Sequence, residues 1–82
     1  MTNEEFKRIR LSCGLTQEQF GRLIGFTSGW QSLVSDRETG KVAISHPFAY
    51  SAILLHFINQ NRLLPNLINY LKFIKKNKNE KV

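Results

Sequence analysis

Apolar residues recur along this chain at intervals of three and four positions, and polar capping signals interrupt them at short distances. The strict alternation of apolar and polar residues that is typical of a half-buried strand is almost absent. Thr2 and Glu5 have the spacing of a capping box, and Gly14 suits a left-handed helix end. The pattern therefore predicts an all-α domain that opens with a helix between these residues.

A second capping box predicts a short second helix, followed closely by a third. Thr16 and Gln19 repeat the box spacing, and Gly25 suits the end of helix 2. Thr27 is the predicted cap of helix 3, which runs to about Glu38. The residues of helix 2 that are predicted to be buried are Phe20, Leu23 and Ile24.

Two further apolar segments predict helices 4 and 5. Ser45 is the predicted cap of helix 4, which ends near residues 59–61, and Pro65 fits the first position of helix 5. The apolar positions are Phe48, Ala52, Leu55 and Ile58 in helix 4, and Leu64, Leu67, Ile68, Leu71 and Ile74 in helix 5. The stripe of helix 5 either completes the core of the monomer or forms a dimer surface. The predicted domain spans residues 1–74, and residues 75–82 form a basic tail that we expect to be disordered.

Length and composition restrict the chain to one small domain. Its 82 residues, 41% hydrophobic and 22% charged, suffice for one core but not for a two-domain enzyme. No apolar run is long enough to span a bilayer, and the single Cys13 cannot form an internal disulfide. Because no signal-peptide pattern opens the sequence, we expect a cytoplasmic protein without a membrane segment.

The net charge of +6 favours a polyanionic partner, but the charge is unevenly distributed. Residues 1–40 contain five basic and five acidic side chains, so that half is neutral. The whole excess lies in residues 41–82, and five lysines fall within the last eleven positions. This lysine-rich end is either a solvated tail or a contact with nucleic acid.

Two glycines allow helices 2 and 3 to meet at a steep angle. Gly21 removes the side chain where helix 3 is expected to cross helix 2, and Gly25 permits the turn between them. Because a glycine inside a helix costs about 1 kcal/mol relative to alanine, Gly21 indicates a packing requirement. The predicted arrangement is a helix-turn-helix.

The same region resembles a known family. Residues 14–27, GLTQEQFGRLIGFT, are similar to the Cro/C1-type (Xre-like) helix-turn-helix DNA-binding domains, and the likeness covers roughly residues 3–58. It continues at Val34, Ser35, Glu38, Gly40, Lys41 and Ile44. The resemblance implies a five-helix domain of lambda-repressor-like type that binds double-stranded DNA and regulates transcription.

Two features depart from the family pattern. About three additional residues lie between Thr27 and Val34, close to one helical turn, so the register of helix 3 on DNA stays open. Arg37 occupies a position where the family usually has a large apolar or aromatic residue. Either its stem packs while its head reaches solvent, or the alignment shifts at this point.

Helix 3 is predicted to present one polar side outward. At about 100° per residue, one side carries Trp30, Leu33, Val34 and Arg37, and the other carries Ser28, Gln31, Ser32 and Ser35. Glutamine can bond an adenine edge through two hydrogen bonds, and serine hydroxyls adapt to bases or to phosphate. The resemblance implies that Gln31, Ser32 and Ser35 reach the bases. Trp30 and Arg37 stay candidates for either the core or DNA contact.

Phosphate groups need separate donors, because backbone contacts fix the register while base contacts specify the sequence. The amides at the start of helix 2 form a predicted anion site, and the resemblance implies that Gln17 donates there. Ser28 and Lys41 are the next phosphate-binding candidates, and Arg22 is a weaker one.

Arg10 lies on the same helical face as Phe6, where an unpaired charge would be costly. Glu38 is its natural partner. The resemblance implies the same pairing between helix 1 and the end of helix 3, with a structural role that orients helix 3.

The spacing of His46, His56 and Cys13 predicts neither catalysis nor a metal site, and no cofactor or small-molecule ligand is expected. The predicted function is a DNA-binding transcriptional regulator, a small autoregulatory repressor of phage or mobile-element type. Since one short helix reads few base pairs, we expect a homodimer on an inverted repeat, with half-site centres about 34 Å apart. The alternative is a protein-interaction module, an antitoxin or phage adaptor, whose helix 5 and lysine-rich end bind another protein.

Overall fold

Five helices and no strand make up the computed structural model, which describes the backbone of residues 1–81 and the side chains of residues 1–74. The helices are α1 Asn3–Ser12, α2 Gln17–Ile24, α3 Trp30–Glu38, α4 His46–Gln60 and α5 Leu64–Lys81. The predicted all-α class is therefore confirmed. Residues 75–82 were expected to form a disordered tail, but α5 continues as a helix through Lys81. The side chains of residues 75–82 lie outside the described part.

Both predicted capping boxes are present. The hydroxyl of Thr2 accepts from the amide of Glu5 at 3.1 Å, and the Glu5 carboxylate accepts from the amide of Thr2 at 2.9 Å. That last hydrogen bond lowers the pKa of Glu5. Thr16 and Gln19 make the same reciprocal pair, at 3.1 and 3.0 Å. Local side-chain chemistry thus fixes the starts of α1 and α2.

The start of α3 corrects the sequence prediction. The helix begins at Trp30 rather than after Thr27, and its N-cap is Gly29 with a left-handed φ of 62° and no side-chain cap. The additional residues between Thr27 and Val34 therefore lengthen the connection and add no turn to the helix. Ser28 lies in this connection. Ser45 does occupy the N-cap of α4 as predicted, but its side chain makes no capping hydrogen bond.

The core forms where the five helices converge. Phe6, Phe20 and Val34 are completely buried, and the rings of Phe6 and Phe20 meet edge to face with centroids 5.1 Å apart. Leu64 at the start of α5 is also buried, and Leu67 and Ile68 pack against the core while half-exposed. The first turns of α5 therefore help to complete the core of the monomer.

Close contact between α2 and α3 depends on Gly21. A Cβ placed there would lie 2.9 Å from the Cβ of Trp30 and 3.1 Å from its Cα and carbonyl oxygen. Gly25, which ends α2, has a φ of 108°, a region that favours glycine. The predicted close approach at Gly21 is confirmed. Among the helices of residues 1–81, none is long and apolar enough to cross a membrane.

Candidate nucleic-acid interface

The outer edge of α3 carries the predicted base-reading residues. Gln31 and Ser32 are exposed, Ser35 is half-buried, and Val34 on the opposite side is fully buried in the core. Ser28 is exposed in the connection before α3. Burial of Val34 fixes the rotation of the helix, and that rotation leaves an amide and a hydroxyl facing outward.

An ion pair joins α1 to the end of α3. The Nε of Arg10 donates to Oε2 of Glu38 at 2.6 Å, and its Nη2 donates to Oε1 at 3.1 Å. The Arg10 Nη1 also donates to the carbonyl of Leu15 at 3.0 Å. Only 11% of the Arg10 side chain and 3% of the Glu38 side chain are exposed. The predicted pair is confirmed as a buried, two-pronged contact.

Gln17 is the third member of this network, which sequence reasoning missed. Its Nε2 donates to Oε1 of Glu38 at 3.1 Å, so one of its two N–H groups is committed inside the protein. The other N–H stays available to an external acceptor. A glutamine at a helix start has no distinctive spacing to an acid at the end of another helix, so the sequence held no signal for this bond.

Gln17 and Gln31 line one open depression on the surface, together with Arg10, Thr16 and Glu18. Its floor combines the first turn of α2 with the outer edge of α3. The side-chain amides of Gln17 and Gln31 therefore face the same solvent-accessible space, beside the capping hydroxyl of Thr16. The carboxylate of Glu18 at its rim lies 3.5 Å from the guanidinium of Arg22, which offsets its charge there.

Trp30 and Arg22 lie elsewhere. The indole Nε1 of Trp30 donates to the carbonyl of Phe26 at 2.7 Å, and its half-buried ring packs against the core. The guanidinium of Arg22 lies 4.1 Å from the centre of that ring. The two side chains line a different groove, against Leu71 and Lys72 of α5. Neither of these two side chains therefore lines the depression that contains Gln31.

Arg37 packs inward, whereas Lys41 is exposed. The Nη1 of Arg37 donates to the carbonyl of Leu33 at 2.9 Å, and its guanidinium lies over the rings of Phe26 and Phe48, 4.8 and 5.5 Å from their centres. The charged head therefore stacks on aromatic faces and does not extend into solvent. Lys41, just after α3, is exposed.

Within the described residues, no group of three His, Cys, Asp or Glu side chains lies close enough together to hold a metal ion. Burial raises the pKa of the Cys13 thiol, which keeps it protonated near neutral pH. No protein-family model, curated protein or solved structure matches the chain.

Proposed function

We propose that α2 and α3 form a helix-turn-helix of the Cro/C1 type, and that the protein is a sequence-specific regulator of transcription. It acts as a small autoregulatory repressor of phage or mobile-element type. The observation that carries this proposal is the shared depression in which Gln31 of α3 faces the first turn of α2 at Gln17. Base readout and phosphate contact need donors on the same surface. In this depression, Gln31 is the donor for base readout and Gln17 the donor for phosphate contact.

Gln31, Ser32 and Ser35 read bases in the major groove. The exposed amide of Gln31 can donate to and accept from one adenine edge, and the small serines let α3 approach the bases closely. Trp30 and Arg37 support α3 from the core side and make no contact with bases.

Phosphate contacts come from groups around this edge. The free N–H of Gln17 and the first amides of α2 face one strand, while Ser28 and Lys41 flank α3 on either end. The Glu38 carboxylate holds the amide of Gln17 in place at 3.1 Å, so the donor is oriented before DNA arrives. Arg22 is committed to Trp30 and Glu18 and makes the weakest contribution.

Two copies bind one operator. A helix of nine residues contacts too few base pairs to select a site in a genome, so a homodimer on an inverted repeat supplies the specificity.

The test is binding to DNA from upstream of the protein's own coding frame, compared with a scrambled duplex over a range of salt. Gln31→Ala should weaken binding to the operator by about 1–3 kcal/mol and hardly change binding to the scrambled duplex. Gln60→Ala, the same change at an exposed position of α4, is the matched control and should leave both affinities unchanged.

Lys41→Ala separates the phosphate role from base reading. It should weaken binding to both duplexes similarly and reduce the slope of log affinity against log salt by about one unit. If Gln31→Ala and Lys41→Ala had equal effects on both duplexes, the assignment of roles would be wrong.

A protein-interaction module is the second candidate, because Tyr70 and Phe73 of α5 are 60% and 59% exposed. In that case residues 1–40 serve as a scaffold and α5 binds a partner protein. Wild-type protein that showed no preference between the two duplexes would favour this candidate over the repressor.

A further inference from the structure

The face of α4 that points away from the core is almost entirely apolar. Tyr50, Ile53, Leu54 and Phe57 are 62%, 48%, 60% and 63% exposed. Their spacing of three, four and seven positions puts them on one stripe of the helix. On the opposite side, Ala49, Ala52 and Leu55 are buried in the protein. α4 is therefore apolar on both sides, but only one side is covered.

α4 also contains no charged residue, in a chain of which 22% is charged. A helix that is apolar all round is normally buried on all sides. Four large apolar side chains in one exposed stripe exceed what single, scattered surface residues explain, and such patches mark interaction surfaces.

We propose that this stripe is the surface through which two copies of the chain associate. The spacing of these four residues suits the contact seam between two packed helices. A two-fold axis perpendicular to α4 pairs the stripe with the same stripe of the second copy. The two α4 helices are then antiparallel, so their dipoles are favourably opposed. Because the stripe has no charge, a charged partner gains nothing from it, whereas a second copy is equally neutral.

The edge of the stripe next to α1 is also compatible with a second copy of the chain. The groove between α1 and α4 is lined by Tyr50 and Ile53 together with the charged residues Glu5 and Arg8. These two have opposite signs, so a two-fold operation can place the carboxylate of each copy opposite the guanidinium of the other. The charges of Glu5 and Arg8 cancel, so this pair adds nothing to the repulsion between two positively charged chains.

The size of the stripe sets the expected strength. Aromatic and large aliphatic side chains at these exposures offer roughly 450 Å² per copy. The seam with its rim then buries roughly 1,000 Å² in total, at the low end of specific interfaces, where weak and reversible complexes are found. Association of this kind does not depend on DNA.

Sedimentation of the full chain without DNA, from micromolar to submillimolar concentration, tests the proposal. The mass should rise with concentration towards twice the 9.5 kDa of one chain. Phe57→Glu should raise the dissociation constant by about tenfold or more, because it places a carboxylate in the seam. Phe73→Glu on α5 makes the same change at a site of similar exposure, 59%, and should leave the dimer intact.

Three results would overturn the proposal: a monomer at every concentration, loss of the dimer only in Phe73→Glu, or a monomer whose α4 stripe binds neutral lipid vesicles. Circular dichroism shows whether Phe57→Glu keeps its helices, and Leu54→Lys is a second disruption of the stripe if it does not. DNA binding is measured separately. A chain that is monomeric without DNA but still selects its operator contradicts this inference and leaves the repressor proposal standing, because two copies can also assemble on the inverted repeat itself.

Discussion

Glu38 connects three parts of the molecule through one carboxylate. It is the last residue of α3, it accepts from Arg10 of α1 through both oxygens, and it accepts from Gln17 at the start of α2. Its backbone carbonyl also accepts from the side chain of Asn3 at 3.2 Å. The position of α3 relative to both other helices therefore depends on this side chain.

Glu38→Gln should lower the free energy of unfolding by about 3 kcal/mol, because it leaves the guanidinium of Arg10 buried without a countercharge. Urea unfolding measures the change. Glu18→Gln removes the same charge from the exposed pair with Arg22, where both side chains are more than half exposed, and should cost under about 1 kcal/mol. Equal losses in the two variants would contradict a special role for Glu38.

The sequence predicted Glu38 as the partner of Arg10, but not the partners of Gln17 and Arg37. An arginine on a buried helical face needs an acidic partner, and the resemblance to Cro/C1-type domains implied this same pairing. Gln17 has many acceptable partners, because a neutral amide is satisfied by water as well. Arg37 lies over the rings of Phe26 and Phe48, and no sequence pattern predicts such stacking.

At the scale of the elements, the connection between α2 and α3 differs from what the N-cap preferences of its residues predict. Thr27 and Ser28 are good capping residues, but Phe26 is buried and its carbonyl accepts from the indole of Trp30. The residues that follow Phe26 stay outside the helix, and α3 begins only after the left-handed Gly29. The capping preference of Thr27 was therefore not enough to place the start of α3.

Gly21→Ala tests the contact between these two helices. Alanine favours a helix by about 1 kcal/mol over glycine. At this position its methyl group would meet the backbone of Trp30 at 3.1 Å, and a helix has to shift. We expect a net loss of about 2 kcal/mol in the free energy of unfolding, measured with urea.

Asn66→Ala, at an exposed position of α5, controls for helix preference alone and should change stability by under about 0.5 kcal/mol. A Gly21→Ala variant as stable as the wild type would show that α2 and α3 do not need the close approach.

α4 shows where helical periodicity stops being informative. The predicted core positions included Ala52 and Leu55, which are buried as expected. Ile53, Leu54 and Phe57 are just as apolar, and the pattern did not predict that their side of the helix would stay exposed. That exposure depends on where α1 and α5 pack, a property of the assembled helices.

On the scale of the whole molecule, the proposed function assigns attraction to DNA and recognition of its sequence to different parts of the chain. The half with the proposed reading edge, residues 1–40, is neutral, and the basic excess lies in residues 41–82. A neutral reading surface relies on charge from elsewhere to draw it to DNA, since phosphate attraction supplies most of the non-specific affinity. The lysine-rich end carries the densest group of positively charged side chains in the chain.

Removal of residues 75–82 tests this division. The deletion takes away Lys75, Lys76, Lys78 and Lys81 together with Glu80, which is three of the six net positive charges. Affinity for operator and scrambled duplex should fall together, with a salt slope reduced by up to about three units, while the ratio of the two affinities stays the same. Titration of both duplexes at several salt concentrations measures this. Collapse of the ratio to one would place recognition in the lysine-rich end, and the polar edge of α3 would then have no part in selecting the site.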